Sequence, residues 1–550
     1  MRHALAALLL LASTLSPSPS PDRAAERLIT AAQLRGHVRF LASDLLEGRG
    51  PGTRGDALAQ AYLASQFEAL GLEGGAADGG YLQPVKLLGL TASPDVMSLQ
   101  RGPERLGLQY KTDFIAVSGR EVAKTEIKDA ELVFVGYGIT APEFGWDDFK
   151  TAALKDKVLV VMNNDPESDP ALFAGKTRLY YGRWDYKFER AAKTGALGAI
   201  IIHTTPSAGY PWHVVSSSWS GPQFELPDPG AAKLAVKAWW TEPAARRVFK
   251  LAGQDLDALM RSAQSRDFKP VPLGVTVSVA FPNAIQHVET ANVLGRLPGA
   301  DAKLAKQVVL YTAHHDHLGI KPSSQAGSQP GADVIYNGAV DNASGVAQLL
   351  AVARAYAALD KRPARSILFA AVGGEEQGLL GSTFLAAHPP VPLADITANI
   401  NMDGANIFGR TRDVSVIGLG KTTLDRALAP LARAQGRVLK PDPQPDRGAF
   451  YRSDQFSFAK QGVPCAYFES GLDYRGRPAG WGKEQREAYE AQHYHQPSDE
   501  LTDTWNLEGA VEDAKLYFEL GLTVARTLQA PEWTPGDEFE VARKASQRSR

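Results

Sequence analysis

The spacing of apolar positions changes twice along this chain. Over residues 25–72 they recur at helical intervals, at Leu58, Ala59, Ala61, Tyr62, Leu63, Phe67 and Leu70. Turn residues interrupt this helical stretch at Leu46-Glu47-Gly48-Arg49-Gly50-Pro51-Gly52-Thr53, and Gly71, Gly74 and Gly75 end it. From about 115 to 270 the runs are short and strand-like, over 132–137 and 158–162. A short helix over 189–194 and a tight turn at Gly195 feed a further strand that ends at His203. Tyr180, Tyr181, Trp184 and Tyr186 crowd together before that helix. This region offers no cluster of metal-binding side chains and reads as a small β-rich domain.

From about 285 strands alternate with helices. Strands are expected over 308–313, 366–372, 396–402 and 414–419, and a helix over 344–359 with Val346, Leu349, Leu350, Ala353 and Tyr356 on one face. Asn342 or Ser344 can cap that helix. Such alternation predicts an α/β fold, a mixed, largely parallel sheet flanked by helices, with the β-rich domain inserted. Ligands of such sheets bind at the carboxyl ends of the strands.

A chain of 550 residues is too long for one core. The pattern divides it into a leader (1–22), the first part of the α/β domain (23–114), the insert (115–270), the rest of the α/β domain (271–530) and a C-terminal tail (531–550), basic and polar from Ala542 to Arg550 and expected to be mobile. The leader combines Arg2 and His3, an apolar run from Ala4 to Ala12 too short to span a bilayer, and a Ser/Pro-rich exit. We expect export to the periplasm or the cell exterior, and no stable membrane insertion. The formal net charge of −2 gives no reason to expect a nucleic-acid partner. The single cysteine, Cys465, lies in an apolar run and reads as a core residue. Nothing in the sequence indicates an oligomeric state.

Candidate chemistry concentrates in the second half. Three of the eleven histidines fall within Ala313-His314-His315-Asp316-His317, directly after a strand. Further candidates follow at Asp341 before the helix, at Glu375 and Glu376 after the strand over 366–372, at Asp403 after the strand over 396–402, and at His495. Each alone has an ordinary structural explanation. Together they place His, Asp, Glu, Asp and His at one sheet edge. Two histidines and three carboxylates suit two divalent ions with one carboxylate bridging, and a further carboxylate to take a proton from water. Spacing alone does not say which of Glu375 and Glu376 is the base. In a strand, residues two apart share a face, so His314 and Asp316 are expected together, with His315 and His317 turned away as packing or loop residues. His493 is expected to have a non-ligand role.

The set Ala313-His314-His315-Asp316, Val340-Asp341-Asn342-Ala343-Ser344-Gly345, Gly374-Glu375-Glu376, Asn401-Met402-Asp403 and Tyr494-His495 resembles the M28 family of co-catalytic zinc metallopeptidases. Leu41-Ala42-Ser43-Asp44-Leu45-Leu46-Glu47-Gly48-Arg49 is similar to the start of such enzymes. Gly136-Tyr137-Gly138, Tyr181-Gly182-Arg183-Trp184 and Gly195-Ala196-Leu197-Gly198-Ala199 are similar to the protease-associated (PA) domain inserted in some members. The resemblance implies two zinc ions per chain. His314 and Asp403 would hold one, Glu376 and His495 the other, and Asp341 would bridge. Glu375 would be the general base, Asp316 would orient His314, and Tyr494 would donate to the oxyanion.

The implied activity is aminopeptidase cleavage of peptides or small proteins by metal-bound hydroxide. Carboxypeptidase action on acidic peptides is an alternative, because Arg447 and Arg452 lie near the site in sequence and could grip a substrate carboxylate. Glutaminyl cyclisation uses a single zinc, and the five-ligand set argues against it. A third reading is a receptor-like binding protein of the same fold without catalysis. The Gly/Ser/Pro-rich stretch from 321 to 333 is longer than in minimal members, and reads as a substrate flap or a plain surface insertion.

Overall fold

The computed structural model describes residues 21–169, 172–228, 230–320 and 333–548. The expected leader lies outside these residues except for its last two positions, and so does the long loop up to 332. Among the described residues no helix is long and apolar enough to cross a membrane.

Two sheets share one strand. Val271–Leu297 pairs antiparallel through its first half with Lys124–Phe134 and Val96–Arg101. Its second half pairs with Leu82–Ala92 and Ser366–Val372. From Ser366–Val372 the main sheet continues in parallel through Val308–His314, Ile396–Asn401 and Cys465–Ser470. Asp413–Val416 then joins antiparallel and Val438–Pro441 closes the edge. This is the mixed, largely parallel, helix-flanked sheet read from the pattern. Val308–His314, Ser366–Val372 and Ile396–Asn401 are buried at every position, which is why they read as continuous apolar runs and not as alternation. Cys465 is buried at the start of its strand.

The helix Gly345–Ala357 is buried on nearly every side, against the sheet and against Ala31–Leu41 and Glu508–Arg526. Asn342 caps it, its Oδ1 accepting from the Gly345 N–H at 3.0 Å. On the sheet face beneath, the Tyr311 hydroxyl donates to the Tyr517 carbonyl at 2.9 Å. That contact requires Gly521, since a Cβ there would stand 1.7 Å from the hydroxyl oxygen.

The second sheet runs Glu104–Gln109, Val96–Arg101, the first half of Val271–Leu297, Lys124–Phe134, Val158–Met162, Gly198–His203, Val236–Thr241 and Phe114–Ser118. Its core therefore includes residues outside 115–270. Met97, Leu99 and Leu108 from the hairpin, and Leu273, Val275 and Val277 from the shared strand, pack with Phe134 and Phe249. The shared strand passes from one sheet to the other at Pro282-Asn283 while staying extended, so the boundary lies inside a strand and not at a loop.

The expected tail is a correction. Glu540–Arg548 is helical, Trp533 and Phe539 join the core that contains Phe450 and Phe456, and the buried Arg543 donates to the Ile396 carbonyl at 3.2 Å. The apolar anchors precede the polar stretch, and they hold it against the domain.

Candidate metal centre

Each side chain of the expected constellation leaves the end of an element. His314 is the last residue of its strand and is almost wholly buried. Asp341 lies in the distorted turn before Gly345–Ala357, and Glu375 and Glu376 begin a short turn after Ser366–Val372. Asp403 follows Ile396–Asn401. His495 and Tyr494 come from the segment after the helix Trp481–Gln492.

These groups converge. His314 Nε2 lies 3.2 Å from Asp341 Oδ1 and 3.2 Å from Asp403 Oδ1. His495 Nε2 lies 3.1 Å from Asp341 Oδ2 and 3.1 Å from Glu376 Oε2. Asp341 thus turns one carboxylate oxygen toward each histidine. Glu375 Oε2 is 4.0 Å from His314 Nε2. Tyr494 stacks on the His495 ring at 3.9 Å between centroids.

Electrostatics explain what such a cluster demands. Burial opposes a charge on His314, but Glu375, Asp403 and Asp341 outweigh it and raise its proton affinity well above the usual range. Burial likewise opposes a charge on His495, yet Glu376 and Asp341 push its pKa up to about 10. Against the same desolvation, His495 and His317 hold Glu376 down to about 2. The carboxylates thus draw positive charge onto the two imidazoles, where a cation would sit. Neutral imidazole nitrogens and carboxylate oxygens are the donor types zinc takes. The groups His314, Asp341, Asp403 and His317, Asp341, Glu376 each bring their donor atoms within 4.8 Å of one another. The donor types present fit zinc.

His317, expected to turn away as a packing or loop residue, lies in the loop after the strand but faces the cluster. It is wholly buried, its Nδ1 lies 2.6 Å from Glu376 Oε1, and its ring meets His495 edge-on at 5.6 Å. The strand ends at His314, so the alternation of faces does not extend to residue 317. His315 does turn away, with Nε2 3.0 Å from the buried Asp56. His493 faces Ser498 instead of the cluster.

Asp316 is placed differently from the simple role implied for it. Its oxygens accept the Glu375 N–H at 3.0 Å and the Glu376 N–H at 3.3 Å, while its Oδ1 stands 3.8 Å from His314 Nδ1. It pins the glutamate turn beneath the histidine as well as facing the ring.

Three further supports were not singled out from the sequence. Ser453 Oγ donates to Asp403 Oδ2 at 2.6 Å. The buried Asp499 accepts from the Val340 and Asp341 N–H groups, at 3.1 Å to each. Arg49, wholly buried with φ 50°, donates to the carbonyls of His315 at 2.8 Å, Asn337 at 2.7 Å, Gly338 at 2.9 Å and Leu41. Arg49 ends a motif already noted and Asp499 lies four residues after His495, which was the available signal. Arg447 is not part of the site, because its guanidinium is paired with Glu490.

With this geometry in view, the second half of the chain can be classed as a metallopeptidase domain. Residues 292–518 match the model of peptidase family M28. A probable zinc metalloprotease of Pyricularia oryzae is 37% identical over 113 residues, 20% of this chain and 19% of that protein. Aminopeptidase NAALADL1 of Rattus norvegicus is 36% identical over 116 residues, 20% of this chain and 13% of that protein. The matched stretches span a fifth or less of these curated relatives. Among solved structures, an aminopeptidase from Aneurinibacillus sp. strain AM-1 superposes over 92% of this chain and 97% of its own, with a TM-score of 0.53 and 21% identity, a likeness of fold.

Proposed function

We propose that the protein is an exported aminopeptidase that holds two zinc ions between His314, Asp341 and Asp403 on one side and Asp341, Glu376 and His495 on the other. The observation that carries this reading is Asp341, with one oxygen 3.2 Å from His314 and the other 3.1 Å from His495. The short apolar run after Arg2 and His3 supports export.

Bound there, zinc supplies Lewis acidity that lowers the pKa of water and polarises the scissile carbonyl. The remaining steps belong to this chain's side chains. Glu375 takes the proton from the attacking water and returns it to the leaving amine. Its burial, with Glu376 and Asp403 nearby, raises its proton affinity well above that of an ordinary glutamate, which favours holding the proton between the two transfers. Desolvation of the hydroxyl, with Asp341, Glu376 and Glu375 adding, keeps the Tyr494 phenol protonated far above neutral pH, so it can donate to the oxyanion. Asp403 and Glu375 have side chains 20% and 12% exposed, against 3% for Glu376 and none for Asp316. With Asp341, 13% exposed, they are the carboxylates that a substrate's α-ammonium can reach.

The test is hydrolysis of leucine p-nitroanilide and of Leu-Gly by zinc-loaded protein. We expect turnover that a chelator abolishes and zinc restores, a loss of about 10³-fold or more in kcat for Glu375→Gln, and no cleavage of N-acetyl-Leu-Gly. Activity surviving complete metal removal, or an undiminished Glu375→Gln variant, would refute the mechanism. Cleavage of the blocked peptide would show carboxypeptidase action instead.

A further inference from the structure

The insert gives one strand back to the main sheet. Gln223–Glu225 pairs antiparallel with residues 88–90 of Leu82–Ala92. It stays tied to its own domain as well. Glu225 pairs with Lys233 at 2.9 Å and Lys237 at 3.4 Å, and Gln223 Nε2 donates to the Ser218 carbonyl at 2.9 Å. This strand comes within 8 Å, Cα to Cα, of the Glu375–Gln377 turn that carries the proposed base. Phe224 lies between Gln223 and Glu225 and so faces the other way. Its neighbour across the ladder is Gly89. A Cβ on Gly89 would stand 2.8 Å from Phe224 Cε1, so the ring occupies space that a side chain there would claim. In that space Phe224 packs with Val85, Leu87, Leu380 and Phe384 of the main domain.

Leu380 links this cluster to the site. Its N–H donates to the Gly374 carbonyl at 3.0 Å, and the N–H groups of Gly378 and Leu379 donate to the Glu375 carbonyl at 2.8 and 2.9 Å. Gly374 has φ 78°, and a Cβ on it would stand 3.3 Å from Leu380 Cβ, so Leu380 lies against the residue that precedes Glu375. The turn is thus gripped from two directions. Asp316 accepts the Glu375 and Glu376 N–H groups, and Leu380 backs the chain from the other side. An apolar side chain backs a turn firmly only while the space behind it is filled. Removing the Phe224 ring would leave a void into which Leu380, and the turn with it, can relax.

We propose that Phe224 is a positioning residue of the site: from the insert it backs Leu380 and so fixes the turn that presents Glu375 as base and Glu376 as zinc ligand. The insert then helps to build the metal centre, beyond any role in covering it. This rests on the reading of the site given above, and the experiment separates the two.

The test measures two quantities on the full chain: zinc affinity, by competition with a chromophoric chelator, and kcat and KM for leucine p-nitroanilide at saturating zinc. We expect Phe224→Ala to weaken zinc binding about 10-fold, as for other residues that orient metal ligands, and to lower kcat by about 10- to 100-fold, as for a reacting group displaced by about 1 Å, with KM within about threefold. Phe224→Leu refills much of the space and should stay within about threefold of the wild type in both quantities. Val248→Ala opens a cavity in the core of the second sheet and is the control, expected to lower Tm and leave both quantities unchanged. A loss in either quantity that Val248→Ala does not share upholds the proposal. Zinc affinity and kcat both within about threefold of the wild type in Phe224→Ala would overturn it, as would losses that Val248→Ala reproduces. An effect confined to KM would also overturn it, by placing the ring against the substrate instead of the turn. Should Phe224→Ala fail to fold by circular dichroism, Gly89→Ala decides, because its Cβ pushes on the ring from the neighbouring strand: it should lower zinc affinity or kcat more than about threefold, and unchanged values would overturn the proposal. If the wild type binds zinc but hydrolyses nothing, the aminopeptidase reading fails and zinc affinity alone decides the role of Phe224. A wild type that binds no zinc would overturn both.

Discussion

Replacing Arg49 should destabilise the α/β domain more than any exposed charge change, and the size of the effect follows from its surroundings. The guanidinium donates four hydrogen bonds to the carbonyls of Leu41, His315, Asn337 and Gly338, and these carbonyls belong to three separate chain segments. A hydrogen bond from a charged donor contributes about 1.5–3 kcal/mol, so the four amount to roughly 6–12 kcal/mol before any cost. Burial opposes them. It lowers the Arg49 pKa to about 10 even with Asp316, Asp499, Asp341 and Glu376 pulling upward, which corresponds to about 3 kcal/mol at 1.4 kcal/mol per unit. Bonds that share one guanidinium are not additive, so we take the lower part of the remainder and predict a loss of about 3–5 kcal/mol for Arg49→Met. Arg49→Lys keeps the charge but not the planar fork, and should lose about 2–3 kcal/mol. The assay is urea unfolding of chelator-treated protein, followed by tryptophan fluorescence and circular dichroism and compared at equal slope. A Met variant within 1 kcal/mol of wild type would refute this account of Arg49, and a Lys variant as stable as wild type would show that charge and not geometry is what matters.

Three other outcomes are expected. Ser453→Ala removes the hydroxyl that holds Asp403 and should weaken zinc binding about 10-fold or more, measured by competition with a chromophoric chelator, and should cost about 1–2 kcal/mol of apo stability because the buried Asn401 Nδ2 also donates to that hydroxyl at 2.7 Å. Zinc at 100 times its Kd should stabilise the protein by about 2.7 kcal/mol, seen as a rise in Tm that Asp341→Ala abolishes. His37, hydrogen-bonded to the Tyr62 hydroxyl at 2.8 Å, has its pKa lowered from 6.5 to about 4 by burial, with Arg354 adding. The folded state therefore keeps it neutral while the unfolded chain takes up a proton below 6.5. Its contribution is full above pH 6.5 and is lost as pH falls toward 4. Urea midpoints over that range should fall by an amount equivalent to about 1–3 kcal/mol, and less in His37→Asn.

What the sequence made legible depends on what each residue's partner is. His314, Asp341, Glu376, Asp403 and His495 were readable because their partners are one another. A histidine or carboxylate at the end of an apolar run, repeated at several element ends, has a joint explanation that chance does not supply. The parallel strands were readable for the same reason, since complete burial writes itself as an unbroken apolar run. Arg49 was not readable as a clamp, because every group it binds is a backbone carbonyl, and a carbonyl leaves no residue type in the sequence. Asp499 shares that fate through the N–H groups of Val340 and Asp341. His317 was misplaced for a different reason: the two-residue alternation that assigned it to the far face holds only while the strand lasts, and the strand ends at His314. The hairpin of Val96–Arg101 and Glu104–Gln109 and the seamless strand Val271–Leu297 were lost at the boundary because pairing, unlike burial, is a property of two segments at once. Side-chain chemistry that meets other side-chain chemistry is thus recoverable from one sequence. Side chains that hold backbone in place are recoverable only from the fold, and in this molecule those are the residues that set the geometry of the histidine–carboxylate cluster.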